Sequence, residues 1–167
     1  MEEQMYKNIL VGVDGSDQAN LAYERAIEVA RRNGSRVIVA NILENQVYTM
    51  MGYSTLNDQL IDQETAAAEE LMADCKKYAE SVDFHNVETV TMFGSPKEVM
   101  SHELPEKYNV DLIMVGQSGL NAVERVVMGS VSSYIIRQAP CDVLIVHSEE
   151  KGSIIFCVGG KSKAIFY

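Results

Sequence analysis

The chain has 167 residues, 47% of them hydrophobic, and carries a formal charge of −10. That length suits one domain with a full core, and the acidic balance argues against nucleic acid or an anionic membrane surface as a default partner. Neither a signal peptide nor an apolar run of spanning length is visible, and Cys75, Cys141 and Cys157 are odd in number without paired spacing, so free thiols in a reducing cytoplasm are expected.

The first element lies in KNILVGVDGS, Lys7 to Ser16. Ile9, Leu10, Val11 and Val13 read as a buried strand, Gly12 thins its end, and Asp14-Gly15-Ser16 forms a turn with Ser16 as helix N-cap. Asp14 would stand at the carboxyl end of this strand, where open α/β sheets bind ligands; an Asx-turn that only shapes the loop is the alternative. Ala22, Ala26, Val29 and Ala30 form one apolar stripe on a helix from about Asp17 to Asn33, stopped by Gly34. Arg36 to Leu43 is the second strand. Glu44 to Asn57 has no clear period and reads as a long loop. From about Asp58 to Val82, Ala67, Ala68, Leu71, Met72, Cys75, Tyr78 and Ala79 keep helical spacing. Val87 to Phe93 is the third strand, after which Gly94-Ser95-Pro96 opens a helix with proline in its first turn. Pro105 should end or kink that helix near Glu103.

VDLIMV, Val110 to Val115, is almost wholly apolar, as expected of a strand covered on both faces. It runs into Gly116-x2-Gly119-x9-Gly129-Ser130. Gly116 and Gly119 permit close backbone approach, and SSYIIRQA after Gly129 suits a helix with Ser130 or Ser132 as N-cap. The N-terminus of a helix offers unpaired N–H groups and about half a positive charge to an anion; a glycine-rich turn closing an ordinary strand-helix unit is the plainer reading. Asp142 to His147 is the fifth strand. The order βαβαβαβαβ implies an α/β fold, a single-domain doubly wound (Rossmann-like) five-stranded parallel sheet with helices on both faces. That domain takes residues 1–148. A tail, 149–167, contains SIIFCV and AIFY and is open between an added strand, a swapped segment and disorder.

Other patterns fall away. GGKS, Gly159 to Ser162, lacks the earlier glycine of a P-loop because Ile155 stands there, and only five residues follow it. GVDGS lacks the dinucleotide-binding glycine spacing. VETVTMFG does not end in the aspartate a phospho-receiver needs. His85, His102 and His147 show no metal-ligand spacing. Arg125, inside the glycine motif, reads as solvated rather than phosphate-bound.

Taken together these residues resemble the universal stress protein family, and specifically its ATP-binding branch, over about Met5 to His147. The resemblance rests on the VDGS turn at Val13 to Ser16, on VIVANI at Val37 to Ile42, and on the glycine motif followed by VSSYIIRQAPCDVLIV. Pro140 before Cys141, where the family often has Cys then Pro, and Pro105 within a helix depart from the pattern. The resemblance implies adenine near Ile42, with Gly12, Val13 and Asp14 along base and ribose. Val115, Gly116 and Gly119 would border ribose and phosphates, and Gly129, Ser130, Val131 and Ser132 would hold the phosphate chain. The implied cofactors are ATP and Mg²⁺, the latter held by Asp14 through the phosphates. Rapid hydrolysis needs a positioned base and a cation at the transferring phosphate, and neither is legible, so any ATPase activity is expected to be slow. The implied role is a cytoplasmic, nucleotide-dependent stress sensor that pairs as a homodimer through Val143, Leu144, Ile145 and Val146, away from nucleic acid and membrane. The alternatives are an ATP-using enzyme of a related adenine-nucleotide α-hydrolase-like fold and a structural dimer that binds no nucleotide.

Overall fold

The parallel sheet grows from strands whose side chains are apolar on both sides. In the computed structural model, which describes residues 5–44, 54–117, 128–149 and 152–158, the strands are β1 (Asn8–Gly12), β2 (Arg36–Leu43), β3 (Val87–Phe93), β4 (Leu112–Gly116), β5 (Asp142–Glu149) and β6 (Gly152–Val158). They lie in the order β3-β2-β1-β4-β5-β6. The first five are parallel, as expected, and β6 is antiparallel to β5.

Successive residues of a strand point to opposite faces, and the cores follow that alternation. On one face Ile9, Val11, Val37, Val39, Leu112 and Met114 pack with α1 (Asp17–Asn33) and α2 (Ser54–Ser81) through Ala22, Ala26, Met72 and Cys75. On the other, Leu10, Ile38, Ala40, Ile113, Val143 and Ile145 pack with Val99, Met100, Leu104 and Ile135. Val99 and Met100 come from the π-helical turn Val99–Glu103 that follows α3 (Pro96–Glu98), Leu104 from α4 (Leu104–Tyr108) and Ile135 from α5 (Ser130–Gln138).

Helix ends follow local chemistry. The Ser16 hydroxyl accepts from the Ala19 N–H at 3.2 Å, and Gly34 closes α1 at φ 68 with its N–H on the Ala30 carbonyl. The helix α2 begins at Ser54, so Ser54 to Asn57 is helical where a loop was expected; once a helix is nucleated each added residue gains a hydrogen bond, whether or not it carries the apolar stripe. The rest of that expected loop, 45–53, lies outside the described residues.

Pro105 does not end its helix. The Leu104 N–H reaches back to the Val99 carbonyl, a five-residue step, and α4 continues to Tyr108 with the proline in its first turn. The wider turn absorbs the missing N–H and the ring's clash with the preceding turn. The strand expected from Val110 starts at Leu112 instead. Asn109 closes α4 in the left-handed region at φ 49, the Val110 N–H binds the Pro105 carbonyl, and the Asp111 carboxylate accepts from the N–H groups of Lys7 and Asn8.

The fifth strand differs most from expectation. Its outer edge is occupied by β6, from Val143 opposite Val158 to Glu149 opposite Gly152. Val143, Ile145 and Val146 are wholly or almost wholly buried in the two cores of their own chain. Side chains of a strand leave above and below the sheet, whereas its edge presents backbone. Val143, Ile145 and Val146, with the partly buried Leu144, thus pack into the cores of their own chain.

Candidate functional site

Strand order reverses between β1 and β4, which pair in parallel with Val11 opposite Met114. At such a switch point the connections leave for opposite faces, and a crevice opens beyond the carboxyl ends of the strands. Gly12, Val13 and Asp14 lie at one side of it, and Val115 and Gly116 at the other.

The β1 side is a fastened turn. The Val13 N–H donates to the Ala40 carbonyl at 2.9 Å, and the Asn41 side-chain N–H group donates to the Val13 carbonyl at 2.8 Å. The Asp14 carboxylate accepts from the Ser16 N–H at 3.0 Å, an Asx-turn, and Gly15 takes φ 83, where a side chain would be strained. Asp14 itself is exposed at the strand end. Ile42, half-buried, packs with the second core at the end of β2.

On the β4 side the backbone is crowded. A Cβ at Gly116 would lie 2.9 Å from both the carbonyl carbon and oxygen of Gln18, in the first turn of α1. Glycine here lets the end of β4 press against that turn. At Gly12 a Cβ would meet only the end of the Met100 side chain, its methyl at 3.0 Å and its sulfur at 3.5 Å. Beyond β4 the Gln117 N–H donates to the Val146 carbonyl at 3.0 Å, and the Gly129 N–H donates to the Gln117 carbonyl at 2.8 Å, which brings the start of α5 back to the strand end.

The N-cap of α5 is Gly129, not Ser130 or Ser132. Ser130 is the first helical residue and is exposed. Ser132 is buried, and its hydroxyl donates to the Gly116 carbonyl at 2.8 Å, tying α5 to β4. Val131 is half-buried against the second core. Among the described residues no side chain caps the first turn of α5; the leading N–H groups of a helix suit an anion. Gly119 and Arg125 lie outside the described residues.

Three polar atoms near these ends went unforeseen. The side-chain amide oxygens of Gln18, Asn41 and Gln117 are buried with no hydrogen-bond partner among the described residues. Asn41 is only 7% exposed, and its amide nitrogen is already committed to Val13. Buried acceptors of this kind are normally satisfied by protein, water or ligand. Nothing in their sequence spacing marks them. Among the described residues no group of three His, Cys, Asp or Glu is placed to hold a metal ion.

Thiol and phenol chemistry lies in the packed layers. Burial pushes the Cys75 thiol up to about 11 and the Cys141 thiol up to about 12, with Asp74 adding to the first and Asp142 and Asp111 to the second. Burial also raises Tyr23, whose hydroxyl donates to the Cys75 carbonyl at 2.8 Å.

A doubly wound α/β sheet with a fastened glycine turn on one side of its switch point and a glycine-started helix on the other belongs to the class of folds that take ligands at strand ends. The chain belongs to the universal stress protein family, whose model matches residues 5–147. It is 45% identical over 145 residues to a curated Staphylococcus aureus (strain USA300) protein carrying the universal stress protein name, covering 87% of this chain and 86% of that one. Its fold is similar to that of the universal stress protein UspA from Lactobacillus plantarum, with TM-score 0.75 and 29% identity over 86% of this chain and 99% of that one. It is also similar to a universal stress protein solved in complex with cAMP, with TM-score 0.68 and 26% identity over 87% and 100% of the two chains. Among the described residues no helix is long and apolar enough to cross a membrane.

Proposed function

We propose that this universal stress protein binds an adenine nucleotide, ATP in the first place, across the switch point between β1 and β4, and acts as a nucleotide-dependent sensor in the cytoplasm. The observation that carries this reading is the glycine-started first turn of α5, without a side-chain cap among the described residues and held at the end of β4 by the Gly129–Gln117 and Ser132–Gly116 hydrogen bonds. An anion placed there would gain the N–H donors and the positive end of the helix dipole, which would offset the chain's overall negative charge locally. The buried acceptors on Gln18, Asn41 and Gln117 add sites for ligand donors such as an exocyclic amine, ribose hydroxyls or ordered water. Adenine would lie near Ile42, the ribose near Asp14 and Val115, and the phosphates along Gly116, Gly119, Gly129, Ser130 and Val131. Ser132 would hold the helix in place rather than donate to phosphate, because its proton already belongs to Gly116.

ATP would supply three phosphates and, with them, its own Mg²⁺. Asp14, exposed at the end of β1, would approach that ion through the phosphates. No residue described at this crevice is placed as a base for water attack, so binding without rapid turnover is the expected behaviour. A relative that holds cAMP makes that nucleotide the natural competitor to test.

The test is to denature freshly purified protein, identify any released nucleotide by mass spectrometry, and titrate ATP, AMP and cAMP calorimetrically with and without Mg²⁺. Gly129 has φ −61 and ψ 154, a conformation open to any residue. Gly129→Val should therefore keep the melting temperature while weakening ATP at least ~10-fold, the equivalent of about 1.4 kcal/mol. Absence of any nucleotide binding by the unmodified protein, or unchanged affinity in the variant, would overturn the assignment.

A further inference from the structure

The helix α2 is longer than the sheet it covers. Its 28 residues, Ser54–Ser81, span about 42 Å, whereas β2 and β3, the strands it connects, have eight and seven residues and span roughly 26 and 23 Å. Its buried residues, Ala68, Met72, Cys75 and Ala79, lie in the second half, and none from 58 to 67 is buried. Because β2 and β3 are parallel, the helix between them runs back against them, and its uncovered first turns stand beyond their carboxyl ends. We propose that this projecting part of α2 is a docking surface for a basic amphipathic helix of another protein.

The surface keeps an apolar stripe where the sheet no longer covers it. Ile61, Ala68 and Cys75 recur every seven residues, so the row that enters the core continues outward to the half-buried Ile61. Leu60 and Ala67 lie beside that row at the same spacing, both exposed, Leu60 by 42%. A stripe of this kind receives another helix, ridge into groove. The surrounding charge sets the sign of the partner. Asp58, Asp62 and Glu64 are exposed around the stripe, and between Arg36 and Lys76 the sequence has neither Lys nor Arg. A second copy laid on the same surface would bring carboxylates against carboxylates, with no cation from this stretch to pair them. A helix that carries Lys or Arg beside its own apolar stripe meets both demands.

The test uses the full chain, a synthetic peptide with Leu and Lys at amphipathic helical spacing, and a peptide of the same composition with that spacing scrambled. Binding would be titrated by fluorescence anisotropy of the labelled peptides and located by hydrogen exchange. The amphipathic peptide should slow exchange at residues 58–67, and the scrambled one should bind at least ~10-fold more weakly. Leu60→Ser with Ile61→Ser removes the apolar anchors and should weaken the amphipathic peptide at least ~10-fold. Asp58→Lys with Asp62→Lys should weaken it as much and let in a Leu and Glu peptide that the unmodified chain does not bind. All four positions lie outside the two cores, so the melting temperatures should match that of the unmodified chain. The proposal is overturned by no protection at 58–67, by equal binding of the scrambled peptide, or by unchanged affinity in either variant. Protection at 58–67 that rises with protein concentration alone also overturns it, by making a second copy the occupant. Exchange in the unmodified chain decides the question even where a variant fails to fold, and none of these results depends on whether the chain binds nucleotide.

Discussion

Gly116→Ala gives the sharpest test of how the site is built. The added Cβ would sit 2.9 Å from two backbone atoms of Gln18 and 3.1 Å from its Cβ. Ordinary van der Waals contact begins near 3.4 Å, so either the first turn of α1 or the end of β4 must move by about 0.5 Å. Neither side yields easily. The α1 turn is held by the Ser16 cap, and the carbonyl of Gly116 is fixed by Ser132. Overpacking against rigid neighbours costs about 1–3 kcal/mol, which for a chain of this size lowers the melting temperature by roughly 2–4 °C per kcal/mol. Gly12→Ala is the internal control, because the atom it meets is the mobile methyl of Met100, and its cost should stay below about 1 kcal/mol. Thermal and urea unfolding of both variants, with ATP titration of each, would show Gly116→Ala as the less stable and the weaker binder. Equal stability of the two would refute the claim that backbone crowding, rather than conformational freedom, requires glycine at 116.

Other predictions follow from single contacts. Asn41→Asp removes the donor to the Val13 carbonyl and brings a carboxylate against it; a loss of about 1–3 kcal/mol is expected, and urea unfolding at neutral pH would detect its absence. Ser132→Ala strips the Gly116 carbonyl of its partner and should cost about 1–2 kcal/mol, with ATP affinity falling as α5 loosens, whereas a threonine that keeps the hydroxyl should recover part of both. In a Cys157→Ser background, Cys75 and Cys141 should react with a thiol reagent far more slowly in the folded than in the unfolded chain. Raising the Cys75 value from 9.0 to about 11 reduces the thiolate at pH 8 roughly 100-fold. The same shifts bear on stability. Below pH 9 both states hold the protons and the fold keeps its full stability. As pH rises past 9 the unfolded chain loses them first, so stability falls through the window up to 11 and 12. A melting temperature constant from pH 8 to 11 would contradict the burial of both thiols.

The local pattern of this sequence determined a great deal. The two-residue alternation of the strands, the helical stripe of Ala22 and Ala26, the Ser16 cap and the Gly34 stop are properties of neighbouring residues, and the element order with its parallel, doubly wound sheet follows from them. The glycine motif was equally legible as the connection from the end of β4 to the start of α5. Tertiary structure alone decided what depends on residues brought together from afar. Ser132 became a clasp rather than a cap because Gly129 begins the helix beside Gln117. Pro105 stayed inside its helix because a π-helical turn makes room for it, with Val99, Met100 and Leu104 packed into the core. Gly116 answers to Gln18, nearly a hundred positions earlier, across an approach that no spacing encodes. The edge of β5 was settled by the tail: the sequence left SIIFCV open between an added strand, a swapped segment and disorder, and that it joins this edge, antiparallel, was fixed only once the sheet existed to receive it.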